Sequence, residues 1–282
     1  MGRIWKFFIY ILLFALAAII CFPVVFMFVG ALMQDWELTE YLGPVLGNAE
    51  GMASWSFLPR APTLEPVVEL LLDSPQYFVM FWNSMKLSLC ILAGQLLFGM
   101  PSAWALARYS FPGRKFLLLL YIVLMLMPFQ VLMLPEYLVL NRLGLIDTHL
   151  AVILPSAFST FPVFIMYRFF RGIPETLLEA AQIDGAGELQ VFGQIGVPLG
   201  SAGVVSAAIL GFLESWNMIE QPMTFLKTES LWPLSLFLPD IGLTEAGMGF
   251  AAAVFMLVPA LLVFLCGQDY LEQGIAAAAL KE

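Results

Sequence analysis

The sequence predicts an all-α membrane protein with six transmembrane helices and both termini in the cytoplasm. The chain of 282 residues is 61% hydrophobic and 12% charged, whereas soluble domains carry roughly 45–50% apolar and about 25% charged residues. Charge is also missing in blocks of about 20 residues, the length of one spanning helix. These blocks lie between Lys6 and Asp35, Lys86 and Arg108, Lys115 and Glu136, Asp147 and Arg168, Glu188 and Glu214, and Glu245 and Asp269.

The uncharged blocks place six spans. They are expected at about 7–32, 79–106, 116–134, 150–170, 200–218 and 247–267. Span 3 is expected to end at Pro135, and the short span 4 to be tilted or interrupted at Pro155 and Pro162, because proline disrupts helix hydrogen bonding. The first span is too long for a signal peptide, so we expect it to be retained.

Three regions follow from this layout. Residues 1–78 hold the first transmembrane helix and an external segment at about 34–78, residues 79–267 hold a five-helix core, and residues 268–282 form a cytoplasmic tail. The external segment is too polar to span and too short for an independent domain. We therefore expect it to be a folded cap or a docking surface.

Basic residues set the orientation, because Lys and Arg are enriched in cytoplasmic loops. Eight of the twelve basic residues fall on the side of both termini if there are six spans: Arg3, Lys6, Arg108, Arg114, Lys115, Arg168, Arg171 and Lys281. The opposite side keeps Arg60, Arg142 and Lys227 among many carboxylates. Both termini, the loop at 108–115 and a polar segment at 172–199 are therefore predicted to be cytoplasmic.

The sequence predicts neither a disulfide framework nor a metal site. Cys21, Cys90 and Cys266 fall inside spans and are expected to pack as small apolar residues. His149, the one histidine, lies in a predicted external loop and is not expected to bind metal. No catalytic residue and no cofactor bound by this chain are predicted.

The polar segment, residues 172–199, is the most informative part of the sequence. Pro174 suits the first turn of a helix, where its missing N–H costs nothing. Glu175 and Glu179 favour the positive end of that helix. Gly185 then interrupts, and a second short helical stretch follows. A helix–glycine–helix segment at a membrane surface is suited to binding a partner outside the membrane.

An amphipathic connector lying on the bilayer is the alternative interpretation. Ala180 and Ala181 favour the partner, because small residues beside carboxylates allow its backbone to approach closely and membrane anchoring does not need them. Both interpretations stay open on these residues alone.

The spacing of the segment matches a known family. Glu-Ala-Ala, three residues, Gly, nine residues, Ile and two residues before Pro resembles the cytoplasmic signature of permease subunits of binding-protein-dependent ABC importers. Here the pattern consists of Glu179, Ala180, Ala181, Gly185, Ile195 and Pro198. The Asp184-Gly185-Ala186 version resembles the carbohydrate branch, close to the smaller six-span permeases of the maltose type.

Further motifs in the same order extend the resemblance over most of the chain. They are Asn83-Ser84, Ala105-Leu106-Ala107-Arg108 with Phe111-Pro112-Gly113, Pro128-Phe129-Gln130 through Pro135, Leu143-Gly144-Leu145, Phe169-Phe170 before Ile173-Pro174, Trp216-Asn217, and Gln273-Gly274 through Lys281. Three features depart from the family pattern: alanines at 276–279, the stretch Met218-Ile219-Glu220-Gln221, and a longer first external segment. The first two bear on the substrate class rather than on assembly.

The resemblance implies an ABC type I importer permease fold and a division of labour. The polar segment would seat in a groove of an ATPase subunit as a coupling helix, and closure of two ATPase subunits around ATP would drive alternating access. ATP and Mg²⁺ would bind in that partner, in agreement with the absence of a G-x-x-x-x-G-K-[ST] phosphate loop from this sequence. The implied partners are a second permease subunit in a heterodimer, two ATPase subunits, an extracytoplasmic solute-binding protein and the bilayer of a prokaryotic cell membrane, with no nucleic acid.

Two sets of site residues follow. The resemblance assigns ATPase coupling to Glu179, Ala180, Ala181, Asp184, Gly185, Ala186, Ile195 and Pro198. Glu179 would make the polar contact, Gly185 the turn, and Asp184 would cap the second helix or pair with a basic residue. Polar groups inside a bundle are costly and often functional, which marks a substrate pathway at Asn83, Gln95, Gln130, Glu214, Trp216 and Asn217.

Helix–helix hydrogen bonding is the alternative role for these pathway candidates. Trp82, Trp104 and Trp232 are expected to lie at the membrane interfaces rather than to stack on a ligand.

Other function classes fit the sequence less well. An ion-driven secondary carrier needs ionisable groups near mid-membrane, and the spans are almost free of them. An intramembrane enzyme needs a catalytic constellation inside the spans, and the sequence contains none. Within the importer class the solute is predicted to be a sugar or oligosaccharide, with a peptide, phosphonate or polyamine as the alternative.

Overall fold

The computed structural model describes residues 3–46, 52, 54, 56–237 and 245–279. Within them all regular structure is helical, in agreement with the predicted class. The described chain divides into two compact units, one made of residues 3–78 and 245–259 and the other of residues 79–237 and 260–279.

The first unit contains α1 (Arg3–Gly30), α2 (Asp35–Leu46) and α3 (Glu65–Val68), which continues into a π-helical turn, Glu69–Asp73. It also contains the beginnings of α4 (Pro75–Gly94) and α15 (Ala246–Ala279). The other helices belong to the second unit: α5 (Met100–Arg108), α6 (Arg114–Leu126), α7 (Phe129–Arg142), α8 (His149–Ala157), α9 (Thr160–Gly172), α10 (Glu175–Ile183), α11 (Glu188–Gln190), α12 (Val197–Leu199), α13 (Ser201–Trp216) and α14 (Glu220–Phe225).

The predicted external segment is folded over its described part. Glu37 of α2 is fully buried, and its carboxylate oxygens accept the backbone N–H of Arg60 at 2.9 and 3.2 Å. The Arg60 guanidinium forms an ion pair with Glu40 at 2.8 Å and lies over the ring of Tyr41. A buried carboxylate is stable only with such partners, so these contacts close the segment back onto α2. Its role as a docking surface stays a prediction.

Four apolar helices in the described chain are long enough to cross a membrane, at Trp5–Gly30, Pro75–Arg108, His149–Gly172 and Ala246–Glu272. Two further pairs are sharply bent. Arg114–Leu126 and Phe129–Arg142 meet at 105°, and Glu188–Leu199 and Ser201–Trp216 meet at 73°. By length and composition the described chain therefore has four candidate spans, and up to six if each bent pair crosses once.

The end of span 3 differs from the prediction. α6 ends at Leu126, Met127 is extended with φ −76° and ψ 125°, and α7 begins after Pro128. Pro135, the predicted end, lies inside α7. The reason is local, since the residue before a proline is forced out of the helical region, and Met127-Pro128 meets this restriction first.

Span 4 is interrupted between the two prolines named above. α8 ends at Ala157, Ser159 is extended, and α9 starts at Thr160. Pro162 falls in the first turn of α9, where backbone N–H groups have no intrahelical partner and a proline is tolerated.

The core of the second unit lies where α5, α9 and α13 pack together. Ala103 of α5 and Met166 of α9 are fully buried, and Ala207 of α13 is 1% exposed. α9 contacts both of the other helices. α5 ends just before the loop at 109–113, and α9 leads into the polar segment. The packing of α5 on α9 therefore places this loop beside the polar segment.

Candidate functional site: the polar segment

The polar segment begins with two extended residues. Ile173 has φ −69° and ψ 129°, and Pro174 has φ −59° and ψ 135°, so the chain leaves α9 and restarts as α10 at Glu175. Leu178 turns inward and is 7% exposed within the hydrophobic core. Leu178 therefore anchors α10 to the core, while the carboxylates of Glu175 and Glu179 are exposed.

A Schellman turn ends α10. The N–H of Gly185 donates to the carbonyl of Gln182 and the N–H of Ala186 donates to the carbonyl of Ala181, both at 3.0 Å. Gly185 has φ +87°, a conformation that costs a residue with a Cβ about 1–2 kcal/mol. A Cβ there would meet nothing within 4 Å. The position therefore needs glycine for backbone conformation, not for space.

The second half of the segment starts at Gly187. Its N–H donates to Oε1 of Gln190 at 2.9 Å, which satisfies one free donor at the start of α11. α11 passes into a π-helical turn, Val191–Gly196, and then into α12. Asp184 lies at the C-terminal end of α10 and does not cap the second helix, because Gly187 occupies that position. Pairing of Asp184 with a partner's basic residue stays a prediction.

The coupling candidates divide into two faces. Ala181, Ala186 and Ile195 are half-buried and pack on the hydrophobic core. The other five are exposed: Glu179, Ala180, Asp184, Gly185 and Pro198. The candidates therefore form an outer face that is free to bind and an inner face that holds the segment in place.

Two apolar residues extend the outer face. Ile183 is 85% exposed and Leu189 is 84% exposed. Ile183 lies four residues after Glu179, so both share one side of α10. Neither side chain is among the predicted coupling residues. The spacing from Glu179 could have revealed Ile183, but not the exposure of Leu189.

On the inner face, the second half of the segment packs against Trp104. The Trp104 ring meets Phe170 edge-on at 5.4 Å and lies tilted against Phe192 at 5.5 Å between centroids. Trp104 is only 5% exposed, so its ring faces the protein interior rather than lipid, and its position at a membrane interface stays a prediction. Phe170 lies on α9, before the polar segment, and Phe192 lies in the second half of the segment. One indole therefore contacts both α9 and the polar segment.

Two residues at the C-terminal end of α5 bond to the chain on either side of α10. Arg108 donates through Nη2 to the carbonyls of Phe170 and Ile173, the latter at 2.6 Å. The Tyr109 hydroxyl donates to Oε2 of Glu188 at 2.6 Å. This hydrogen bond is the main cause that raises the pKa of Tyr109 above its usual value. Sequence reasoning did not single out Arg108 or Tyr109 as functional.

Three of the predicted pathway residues make internal contacts. The Asn83 amide donates to the carbonyls of Ser230 and Trp232 at 2.8 and 3.1 Å. Gln95 is 5% exposed and donates to a backbone carbonyl on α8 at 3.0 Å. Trp216 is 1% exposed and stacks on another ring of α13 at 5.7 Å. The contacts of Asn83 and Gln95 are those of the alternative role, the joining of helices and loops, whereas the stacking of Trp216 lies within one helix.

The other three pathway residues are exposed. Gln130 donates to Oε1 of Glu220 at 2.5 Å, which joins α7 to α14. Asn217 donates to the carbonyl of Leu213 at 2.8 Å at the end of α13, and Glu214 lies on the outside of the same helix. Glu220 was not among the candidates, although it lies in the stretch that departs from the family pattern.

The fold and the site define a polytopic α-helical membrane protein with an ordered polar segment between two of its apolar stretches. Residues 95–277 match the family described as binding-protein-dependent transport system inner membrane component. The chain belongs to this family of ABC importer permeases, which confirms the resemblance noted in its sequence.

Individual relatives agree with this assignment. The arabinooligosaccharides transport system permease protein AraQ of Halalkalibacterium halodurans is 33% identical over 229 residues, which covers 80% of this chain and 82% of the relative. The galactooligosaccharides transport system permease protein GanQ of Bacillus subtilis is 29% identical over 282 residues, 97% of this chain and 95% of the relative.

The fold also matches a solved structure. The crystal structure of a bacterial ABC transporter involved in the import of the acidic polysaccharide alginate contains a chain that superposes with a TM-score of 0.80 at 21% identity, covering 95% of this chain and 96% of that one. At this identity the likeness shows the fold, and it supports the predicted permease architecture.

Proposed function

We propose that this chain is the transmembrane permease subunit of an ATP-driven importer for a sugar or oligosaccharide, which it passes from an external binding protein to the cytoplasm by alternating access. The observation that carries the coupling role is the two-faced polar segment. Its outer face presents Glu179 and Ile183, and its inner face is packed on the core of the membrane unit. Such a segment can bind a partner and pass a displacement to the helices behind it.

The arrangement in the membrane follows from the spans and the charges. Six spans with both termini in the cytoplasm put the polar segment on the same side as eight of the twelve basic residues. That side is where ATP is available. We assign ATP and Mg²⁺ binding to two ATPase subunits, each docking on one permease of a heterodimer, and delivery of the solute to an extracytoplasmic binding protein.

The carbohydrate assignment rests on the relatives. AraQ and GanQ are named for transport of arabinooligosaccharides and galactooligosaccharides, and the matched crystal structure is of an alginate importer. Three carbohydrate systems favour a sugar or oligosaccharide for this chain. Calorimetry of a solute-binding protein that delivers to this permease, against a panel of sugars, tests this part, and a preference for a peptide or polyamine would overturn it.

The coupling role is tested by two variants in the assembled importer. Glu179→Ala removes the carboxylate of the outer face, and Gly185→Val forces a β-branched residue into positive φ, where it is strained. Both should abolish transport and its link to ATP hydrolysis while the chain still inserts in the membrane.

Gly144→Val is the matched control. Gly144 also has positive φ, +68°, and open space around it, but it lies in the turn after α7. It should keep transport near the wild-type rate. Normal transport by both Glu179→Ala and Gly185→Val would remove the coupling role from the polar segment.

A further inference from the structure

The end of α5 contacts the polar segment at its beginning, its middle and near its end. Arg108 donates to the carbonyl of Ile173, just before α10. Tyr109 donates to Glu188, the first residue of α11. The Trp104 ring lies against Phe192 in the following π-helical turn. We call Trp104, Arg108 and Tyr109 the α5 clasp.

The contacts of Arg108 suit a residue that positions the start of the segment. The last carbonyls of a helix lack intrahelical donors, and a cation beside them is favoured by the helix dipole. The guanidinium reaches the carbonyls of both Phe170 and Ile173 and lies 5.6 Å from the centroid of the Trp104 ring. Since α10 starts two residues after Ile173, this contact fixes the backbone from which α10 begins.

The contact of Tyr109 positions the second half. A hydroxyl donating to a carboxylate forms a short, charge-assisted hydrogen bond, here at 2.6 Å between Tyr109 and Glu188. Both side chains are exposed. This hydrogen bond links the loop after α5 directly to the start of α11.

We propose that the α5 clasp makes the polar segment and α5 move as one body, with Arg108 and Tyr109 as positioning residues. This inference rests on the coupling function proposed above. A displacement applied at the outer face would reach α5 through the Tyr109–Glu188 hydrogen bond and the Arg108–carbonyl contacts, not only through the hydrophobic core. α5 continues through a π-helical turn, Gln95–Gly99, into α4, so the displaced helix is part of the apolar span Pro75–Arg108.

The clasp itself can be tested on the full chain in detergent, without partners. Tyr109→Phe should speed amide hydrogen exchange about threefold to tenfold in residues 184–196, as loss of one hydrogen bond predicts. Arg108→Lys should have a similar effect near Ile173, because an ammonium cannot reproduce the planar fork of a guanidinium.

A double-mutant cycle shows whether Tyr109 acts through Glu188. Glu188→Ala alone and combined with Tyr109→Phe should give the same exchange rates as Tyr109→Phe alone. Glu188→Gln, which keeps an acceptor, should fall between these and the wild type. Tyr121→Phe is the matched control, because within the described chain the Tyr121 hydroxyl makes no hydrogen bond. Additive effects of Tyr109→Phe and Glu188→Ala would overturn the clasp. Unchanged exchange in both single variants and in the double variant would also overturn it.

The mechanical role is tested in the importer assembled in proteoliposomes. Tyr109→Phe and Arg108→Lys should lower the amount of solute moved per ATP hydrolysed at least threefold, whereas Tyr121→Phe should leave this ratio unchanged. A wild-type ratio in both clasp variants, with faster exchange, would show that the clasp is structural only.

This outcome is distinguishable from failure of the coupling function. If Glu179→Ala and Gly185→Val lose transport while the clasp variants keep the wild-type ratio, the coupling function stands and the clasp proposal falls. If Glu179→Ala and Gly185→Val transport normally, the coupling function fails and the mechanical role of the clasp fails with it.

Discussion

Gly196 lies so close to the Trp104 indole that a Cβ on it would sit 2.5 Å from the ring. This distance is well below van der Waals contact, so a side chain at residue 196 must displace the indole. The same ring meets Phe170 and Phe192. The absence of a side chain at Gly196 therefore permits the packing of Trp104 against Phe170, before the polar segment, and Phe192, within it.

Gly196→Ala should destabilise the protein by about 1–3 kcal/mol, the usual cost of overpacking a filled core. Thermal unfolding of the chain in detergent measures this effect. Gly193→Ala is the matched control, since Gly193 lies in the same π-helical turn and a Cβ there meets nothing within 4 Å. Equal melting temperatures for the two variants would contradict the close packing on Trp104.

Asp147 should make stability depend on acid pH. Its carboxylate accepts the N–H groups of Lys227 and Thr228 at 2.8 and 2.9 Å and the Thr228 hydroxyl at 2.6 Å. These hydrogen bonds, with the Thr228 hydroxyl the largest cause, hold the pKa of Asp147 below its usual value. The stabilisation is therefore complete above the unfolded-state pKa of about 3.9. It is lost as pH falls through the lower folded-state pKa.

Melting temperatures measured from pH 6 down to pH 3 test this pH dependence. Wild type should lose more of its melting temperature over this range than Asp147→Asn, whose side chain cannot ionise. Asn also tolerates the positive φ of 63° at this residue. Parallel curves for the two proteins would show that Asp147 contributes nothing to the acid sensitivity.

Asn83 should behave as a structural residue. Asn83→Ala leaves the carbonyls of Ser230 and Trp232 without their donor, at a cost of about 1–3 kcal/mol. Hydrogen exchange in residues 226–236 should accelerate, while the solute concentration for half-maximal transport should stay unchanged. A changed half-saturation with unchanged exchange would instead place Asn83 in the substrate pathway.

Gln130 and Glu220 should behave in the opposite way. Both are exposed and bond to each other, so removing one leaves no buried group without a partner. Glu220→Ala should leave the melting temperature nearly unchanged and should raise the solute concentration needed for half-maximal transport. The reason is that a carboxylate and an amide on an exposed surface of a spanning unit are able to hydrogen-bond sugar hydroxyls. Unaltered transport kinetics would contradict a role of Gln130 and Glu220 in binding the solute.

A structural feature could be predicted from the sequence when the interactions behind it are local along the chain. Gly185 was placed in a turn because a glycine between two helical patterns indicates a break, and the preference for positive φ is a property of that residue alone. The cause of the break at Pro128 is equally local, but the charge pattern does not reveal it, because Met127-Pro128 lies within an uncharged block that predicts one continuous span. Charge patterning locates spans but not the bends inside them.

The inner contacts of the polar segment were beyond the reach of the sequence. Arg108 and Tyr109 bond to residues 62 to 79 positions away, and no periodicity connects them. The frequency of tryptophan at membrane interfaces gave no sign that Trp104 packs against Phe170 and Phe192.

By itself, the sequence determined the membrane class, four of the six predicted spans, the importer-permease family and the glycine-centred polar segment, because composition, charge-free length and residue spacing are properties of the chain in order. Only the tertiary structure decided which polar residues are used internally, as Asn83 and Gln95 are, and which stay exposed, as Glu179 and Gln130 do. It also decided that the end of α5 holds the polar segment. Those outcomes depend on which distant helices pack together, and burial and hydrogen-bond partners exist only after that packing has formed.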